Sequence, residues 1–333
     1  MARTRTSIGY VITVIVVALI VAAVCRATLL ELYTVAPQQM ENTLLPGDRV
    51  MVEKWHYGVR LPQSCLAIPH LDTLPGTHTP ARIPARPLPY KRWGTTLVGR
   101  NDVVVYNYPM QLDVPLSLHP TAIARCVGLP GDTLQARDGS LRVNGVELMP
   151  DYAITQAYLI ADTLLPQVEK AALSVGKLLD VQLLDGQALL YLDRGSYNKL
   201  CTRLPEGVTL NPVSLSHDDY EVELPPYGSD AVITPTNASF YAEIINLYEP
   251  RKVELHGDAL YRGGRKITSY RFTQPYYWVL CDNRTATTDS RTIGAVPHSH
   301  LIGKCGMILF SIDGQQRGFS SWRTQRFFQY RKL

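Results

Sequence analysis

The reactive side chains of this chain are few: six cysteines and a knot of carboxylates and guanidiniums near the C-terminus. The cysteines, Cys25, Cys65, Cys126, Cys201, Cys281 and Cys305, show neither a CxxC pair nor metal-ligand spacing, so no metal or cofactor is expected. In an oxidising compartment the five after Cys25 can pair and leave one over. Alternatively, a thiol whose pKa a partner lowers is a stronger nucleophile than any hydroxyl. Cys126 and Cys281 therefore read as a disulfide, as two small buried thiols, or as a reactive group. Asp282, Asn283, Arg284, Asp289 and Arg291 crowd one stretch, and Arg125 lies upstream. Carboxylates and guanidiniums together knit loops through two-pronged hydrogen bonds, which implies a rigid scaffold rather than a reaction. A net charge of +4 with no basic run interleaved with aromatics excludes nucleic acid as an expected partner.

The elements that must position these groups begin with an apolar stretch. Between Arg5 and Arg26 there is no charged residue, and residues 8–26 are long enough for a transmembrane helix, which needs roughly 20 residues. A cleaved secretory signal shares the basic start, but its apolar core is shorter, roughly 7–15 residues. Arg3 and Arg5 ahead of the span place residues 1–7 in the cytoplasm and the rest on the outer side. The expected location is the cytoplasmic (inner) membrane, single-pass, with the bulk periplasmic and membrane lipid as a partner. From Val50 onward, short β-branched and aromatic runs broken by Gly, Pro, Asn and Asp predict a mainly β, antiparallel fold. Predicted strands include 49–54, 102–108, 123–128, 133–137, 141–143, 252–255, 276–280 and 301–311, with Asn144-Gly145 as a hairpin turn. Residues 61–92 are rich in proline and read as a surface excursion. Residues 151–246, with a helical piece near 164–179, read as a smaller subdomain inserted between the two halves of one β core, 30–150 and 247–333.

Four stretches stand out in order: Met40-Glu41-Asn42-Thr43-Leu44-Leu45-Pro46-Gly47-Asp48 with Glu53-Lys54; Arg100-Asn101-Asp102-Val103-Val104-Val105; Arg125-Cys126-Val127-Gly128-Leu129-Pro130-Gly131-Asp132; and Asp282-Asn283-Arg284 with Asp289-Ser290-Arg291 and Gly294-Ala295-Val296-Pro297. Singly each is weak, since Pro-Gly-Asp is just a turn. Together, behind an N-terminal span, they resemble the bacterial type I signal peptidases, membrane-bound serine proteases that cut leader peptides from exported proteins. The resemblance implies the antiparallel signal-peptidase β-sheet fold with its inserted subdomain. It also implies exported preproteins or signal peptides as partners, and a shallow groove at Met40, Leu44 and Leu45 that accepts an extended strand.

The same resemblance exposes three vacancies. The position of the family's nucleophilic serine is Gln39, that of its general-base lysine is Ala124, and that of its oxyanion-stabilising serine is Pro37. A serine hydroxyl attacks only when a base removes its proton, and a lysine serves only when burial lowers its pKa. Glutamine supplies no such nucleophile, and an alanine methyl abstracts nothing. Proline has neither hydroxyl nor N–H to stabilise an oxyanion. The retained residues Arg125, Asp282, Asn283, Arg284, Thr287, Asp289 and Arg291 are expected to support the scaffold of the site. This chain is therefore expected to be a catalytically degenerate relative that binds exported polypeptides, or that partners an active signal peptidase. The alternative is an active peptidase with a displaced nucleophile: Thr43, Thr287, Cys126 or Cys281, with His56 as a distant base.

Overall fold

The structure, a computed structural model, describes residues 8–36, 39–40, 43–61, 90–94, 96–109, 116, 119–137, 140–148, 154–175, 180–205, 207–213, 219–286, 288–314, 316 and 318–330. Pro37, Cys65, Thr287 and nearly all of the proline-rich stretch lie outside that set. The helix α1 spans Ile8–Thr28, and its described apolar residues, such as Ile12, Val14 and Val17, are exposed. Several of its side chains, Leu19 and Ile20 among them, are not described. Among the described residues no helix is long and apolar enough to cross a membrane.

One residue past α1 the chain enters strand β1 (Leu30–Thr34). The joint is tight: Leu29 N donates to Cys25 O at 2.7 Å and Leu29 O accepts from Lys54 N at 2.8 Å, while Lys54 pairs with Glu31 at 2.6 Å. Strand β1 is the edge of a curved sheet of seven strands in the order β1-β2-β22-β5-β6-β20-β21. Its other members are β2 (Asp48–Glu53), β5 (Val103–Asn107), β6 (Thr121–Gly128), β20 (Tyr276–Leu280), β21 (Val296–Pro297) and β22 (Leu301–Ser311). The central strands are buried on both faces, so β5 and β20 read as continuous apolar or aromatic runs without a period of two. One face carries Val35, Met40, Leu44, Val50, Val105, Ile123 and Ile308. The other carries Tyr57, Val104, Tyr106, Ala124, Cys126, Tyr277, Val279 and Cys281.

A pair of two-residue strands, β3 (Val59–Arg60) and β4 (Arg92–Trp93), forms the neck of the proline-rich excursion. Beyond β6 the chain builds β7 (Thr133–Arg137), β8 (Ser140–Val143) and β9 (Val146–Glu147). The last hairpin turns at Asn144 (φ 52°) and Gly145 (φ 80°), as the Asn-Gly pair predicts.

The stretch 151–246 is not one body, a correction to the single inserted subdomain expected. Strands β10 (Thr155–Ala161), β11 (Asp180–Leu184), β12 (Gln187–Asp193) and β13 (Asn211–Pro212) form their own sheet. Helices α2 (Leu165–Ser174) and α3 (Arg194–Cys201) cover it over Val168, Leu190, Leu192 and Leu200. Strand β14 (Tyr220–Glu223), by contrast, pairs with β7. It belongs to a second layer with β15 (Ala231–Val232), α4 (Ala238–Tyr248), β16 (Glu254–His256), β17 (Ala259–Arg262), β18 (Arg265–Ile267) and β19 (Ser269–Tyr270). That layer packs Leu134, Leu224, Tyr241, Ile245 and Trp278 in one core. The apolar face of β14 is therefore satisfied by the main body, and only 155–213 stands as a unit of its own.

Candidate functional site

Strand β20 pairs with β6 as far as Leu280 opposite Arg125, then turns away at Cys281. The loop that follows is held by two carboxylates. Asp282, 1% exposed, receives Arg125 on both oxygens (Nε to Oδ1 2.9 Å, a second N–H to Oδ2 2.7 Å) and the Thr43 hydroxyl at 2.6 Å. Asp289, fully buried, caps the short helix α5 (Ser290–Ile293) and takes Arg291 on both oxygens at 3.0 and 2.9 Å. It also accepts from Cys281 N at 3.0 Å. Arg291 Nη1 donates to the carbonyl of Arg284, and Nη2, shared with Asp289, to that of Ala286, at 2.7 Å each, and Arg284 reaches that of Cys281 at 3.1 Å. The structure thus brings Arg125, Asp282, Asn283, Arg284, Asp289 and Arg291 together as one scaffold.

Gln39 sits at the mouth of this scaffold. Its carbonyl accepts from Asn283 N at 3.2 Å. Its side-chain amide lies 3.5 Å from Thr288 Oγ1 on one side and 3.4 Å from Ile123 N on the other. Ala124 is wholly buried, its methyl among Val104, Tyr106, Cys126 and Cys281. The first strand of the inserted sheet docks here as well: Thr155 N donates to Asp282 O at 3.0 Å and Thr155 O accepts from Arg284 N at 2.9 Å.

The expected groove residues are corrected in part. Met40 and Leu44 are wholly buried in the sheet core rather than lining a surface, with Leu44 N bonded to Met40 O at 2.8 Å. Leu45 alone reaches the surface, where it lines an open pocket of about 490 Å³ with Trp322, Arg323 and Arg326. Arg326 fixes this turn by clamping buried Asp48 at 3.1 and 2.6 Å.

The candidate substitute nucleophiles are quiet. Cys25, Cys126, Cys201, Cys281 and Cys305 are all free thiols. Burial, with Asp289 nearby, pushes Cys281 up to about 12, and burial raises Cys126 strongly. At pH 7 a thiol of pKa 12 is ionised in only about one molecule in 10⁵. The Thr43 hydroxyl donates to Asp282, a carboxylate whose two oxygens also accept from Arg125. His56 lies in the turn Lys54–Tyr57 at the far end of β2, 3.8 Å from Glu53, and meets none of these groups. Sequence reasoning missed Thr288 and the main chain of Ile123; for the latter no residue type carries a signal.

This arrangement, an Arg–carboxylate-bound loop facing a β-strand edge, goes with a specific family match. The model for signal peptidase, peptidase S26, matches residues 8–181 and 249–310. The chain belongs to the signal peptidase S26 family. Signal peptidase I of Pseudomonas aeruginosa is similar at 32% identity over 128 residues, 38% of this chain and 34% of that protein. The match thus spans about a third of the length of that curated relative. A signal peptidase I crystal structure from Enterococcus faecalis is 17% identical and is covered over 97% of its chain and 63% of this one, with a TM-score of 0.25.

Proposed function

We propose that this member of the signal peptidase family is a non-catalytic binding factor for exported polypeptides, held by α1 in the cytoplasmic membrane with its β layers on the periplasmic side. One observation carries the reading. Where the resemblance places an attacking oxygen and its base stand the Gln39 carboxamide and a buried Ala124 methyl, and burial pushes the neighbouring Cys281 thiol up to about 12. The intact Arg125–Asp282 and Arg291–Asp289 pairs support a site whose frame is kept for binding. For the anchor, the support is the run of exposed apolar side chains along α1 and the absence of charge between Arg5 and Arg26. An active signal peptidase is a second proposed partner.

The test uses the full chain in proteoliposomes with a leader-bearing preprotein and a photo-crosslinker at Thr285 on the site loop. The expected result is crosslinking to the leader with no cleavage; loss of nucleophile or base alone costs about a millionfold in a comparable protease. Cleavage that disappears on Thr43→Ala or Cys281→Ala would establish a displaced nucleophile and overturn the reading.

A further inference from the structure

We infer that the Gln39 side chain is a built-in occupant of the strand-acceptor edge of β6, which it keeps closed until an incoming polypeptide backbone displaces it. The inference rests on the binding role proposed above, and it begins from the hydrogen-bond alternation of β6. Cys126 N and O bond to Asp102 and Asn101 on the β5 side, and Pro120 O accepts from Tyr108 N on the same side. Even-numbered residues of β6 therefore face β5, and the main-chain groups of Arg125 and Ile123 face the opposite way. Arg125 has β20 opposite it; Ile123 does not, because β20 leaves the sheet after Leu280.

Among the described residues no strand pairs with the Ile123 N–H and C=O on that side, which leaves a short open edge, and an open edge is a template for another strand. Here it is covered from within. The Gln39 side-chain oxygen lies 3.4 Å from Ile123 N, and the Cys281 thiol lies 4.0 Å from Ile123 O. An added strand would lie about 4.8 Å from β6 with its own carbonyl roughly 2.9 Å from Ile123 N. That is the space the carboxamide fills, so strand and side chain exclude one another. The contest is uneven. Both contacts of the carboxamide are long, 3.4 and 3.5 Å, beyond the usual 2.7–3.2 Å range for N–H···O bonds, so each is weaker than an ordinary hydrogen bond. A peptide backbone brings bonds of normal length. The Gln39 main chain, pinned to Asn283, stays in place while its side chain swings. The ligand this selects is an extended polypeptide segment, whose backbone groups recur at strand spacing.

The experiment compares wild-type, Gln39→Ala and Gln39→Glu full-length chains in detergent micelles. It reads the hydrogen exchange of the Ile123 amide and the binding of a fluorescent ten-residue alanine-rich peptide. Gln39→Ala should speed Ile123 exchange at least tenfold and tighten peptide binding about tenfold, with protection restored when peptide binds. Gln39→Glu retains an acceptor for the Ile123 N–H and should keep the amide protected. Peptide bound equally by wild type and Gln39→Ala, with Ile123 exchange unchanged, overturns the occupant alone. Peptide bound by none of the three overturns the binding function itself, and the displacement with it.

Discussion

Single side chains set the rigidity of the site. Arg125 and Asp282 are almost wholly buried, and a buried pair broken on one side leaves the other charge stranded. Arg125→Met should therefore lower unfolding free energy by about 3–5 kcal/mol, read as the urea midpoint multiplied by the slope of the transition. Thr43→Ala at the same carboxylate removes one donor of three and should cost less, about 1–2 kcal/mol. A gain-of-function variant probes the vacancies directly. Gln39→Ser with Ala124→Lys supplies nucleophile and base, but the lysine must enter the buried cluster with Tyr106, Cys126 and Cys281 that now holds only a methyl, and overpacking of that kind costs typically 1–3 kcal/mol. The double variant should cleave a leader peptide at a rate detectable above wild type yet far below that of a peptidase with a native dyad. A rate equal to an active signal peptidase's would show that nothing but the two side chains is missing.

At the scale of elements, the turn between β1 and β2 holds the site's approach. Gly47 adopts φ +88°, and a Cβ there would meet Ile312 O at 2.0 Å, so both backbone strain and a main-chain collision oppose any side chain. Gly47→Ala should destabilise the fold by more than about 2 kcal/mol and loosen the Leu45–Asp48 turn, seen as a fall in thermal midpoint and faster amide exchange at Leu45. Strands were legible where turn chemistry bounded them: β7, β20 and β22 lie where the apolar runs between Gly, Pro and Asp predict. The pairing partners were not. Strand β14 joins β7 across more than eighty residues, and nothing in Tyr-Glu-Val-Glu says which strand it will sit beside. Met40 and Leu44 misled for a related reason: an apolar residue in a turn is equally consistent with a groove lining and with core. The edge at Ile123 was invisible because it is made of backbone, common to every residue.

Across the whole molecule, burial of neutral histidines ties stability to pH. His298 is held down to about 4 by burial and by the neighbouring Arg92, while Tyr277 OH and Tyr57 O face its ring nitrogens. His300 is held down to about 3 by burial, with His119 and Arg60 facing it, Tyr248 against its ring and Ser299 beside it. In the unfolded chain both rings titrate near 6.5. Below that pH the unfolded state binds more protons than the folded one, so their stabilising effect is complete above about pH 6.5 and is lost as pH falls toward 4 and 3. Each ring should remove up to about 1.4 kcal/mol per pH unit in that window. Urea midpoints measured from pH 7 to 4.5 should fall steeply, and His298→Gln should flatten the slope. The histidines sit beneath the neck of the proline-rich excursion, through which Arg92 reaches Tyr57 O and Leu301 O, so acid should release that neck first. A different constraint comes from the junction of α1 with the sheet. Leu29 is bonded to both Cys25 and Lys54, which ties the last turn of α1 to the sheet. Whatever α1 is seated in, a tilt of the helix is handed on to the sheet edge at β1 and β2 rather than taken up by a slack linker.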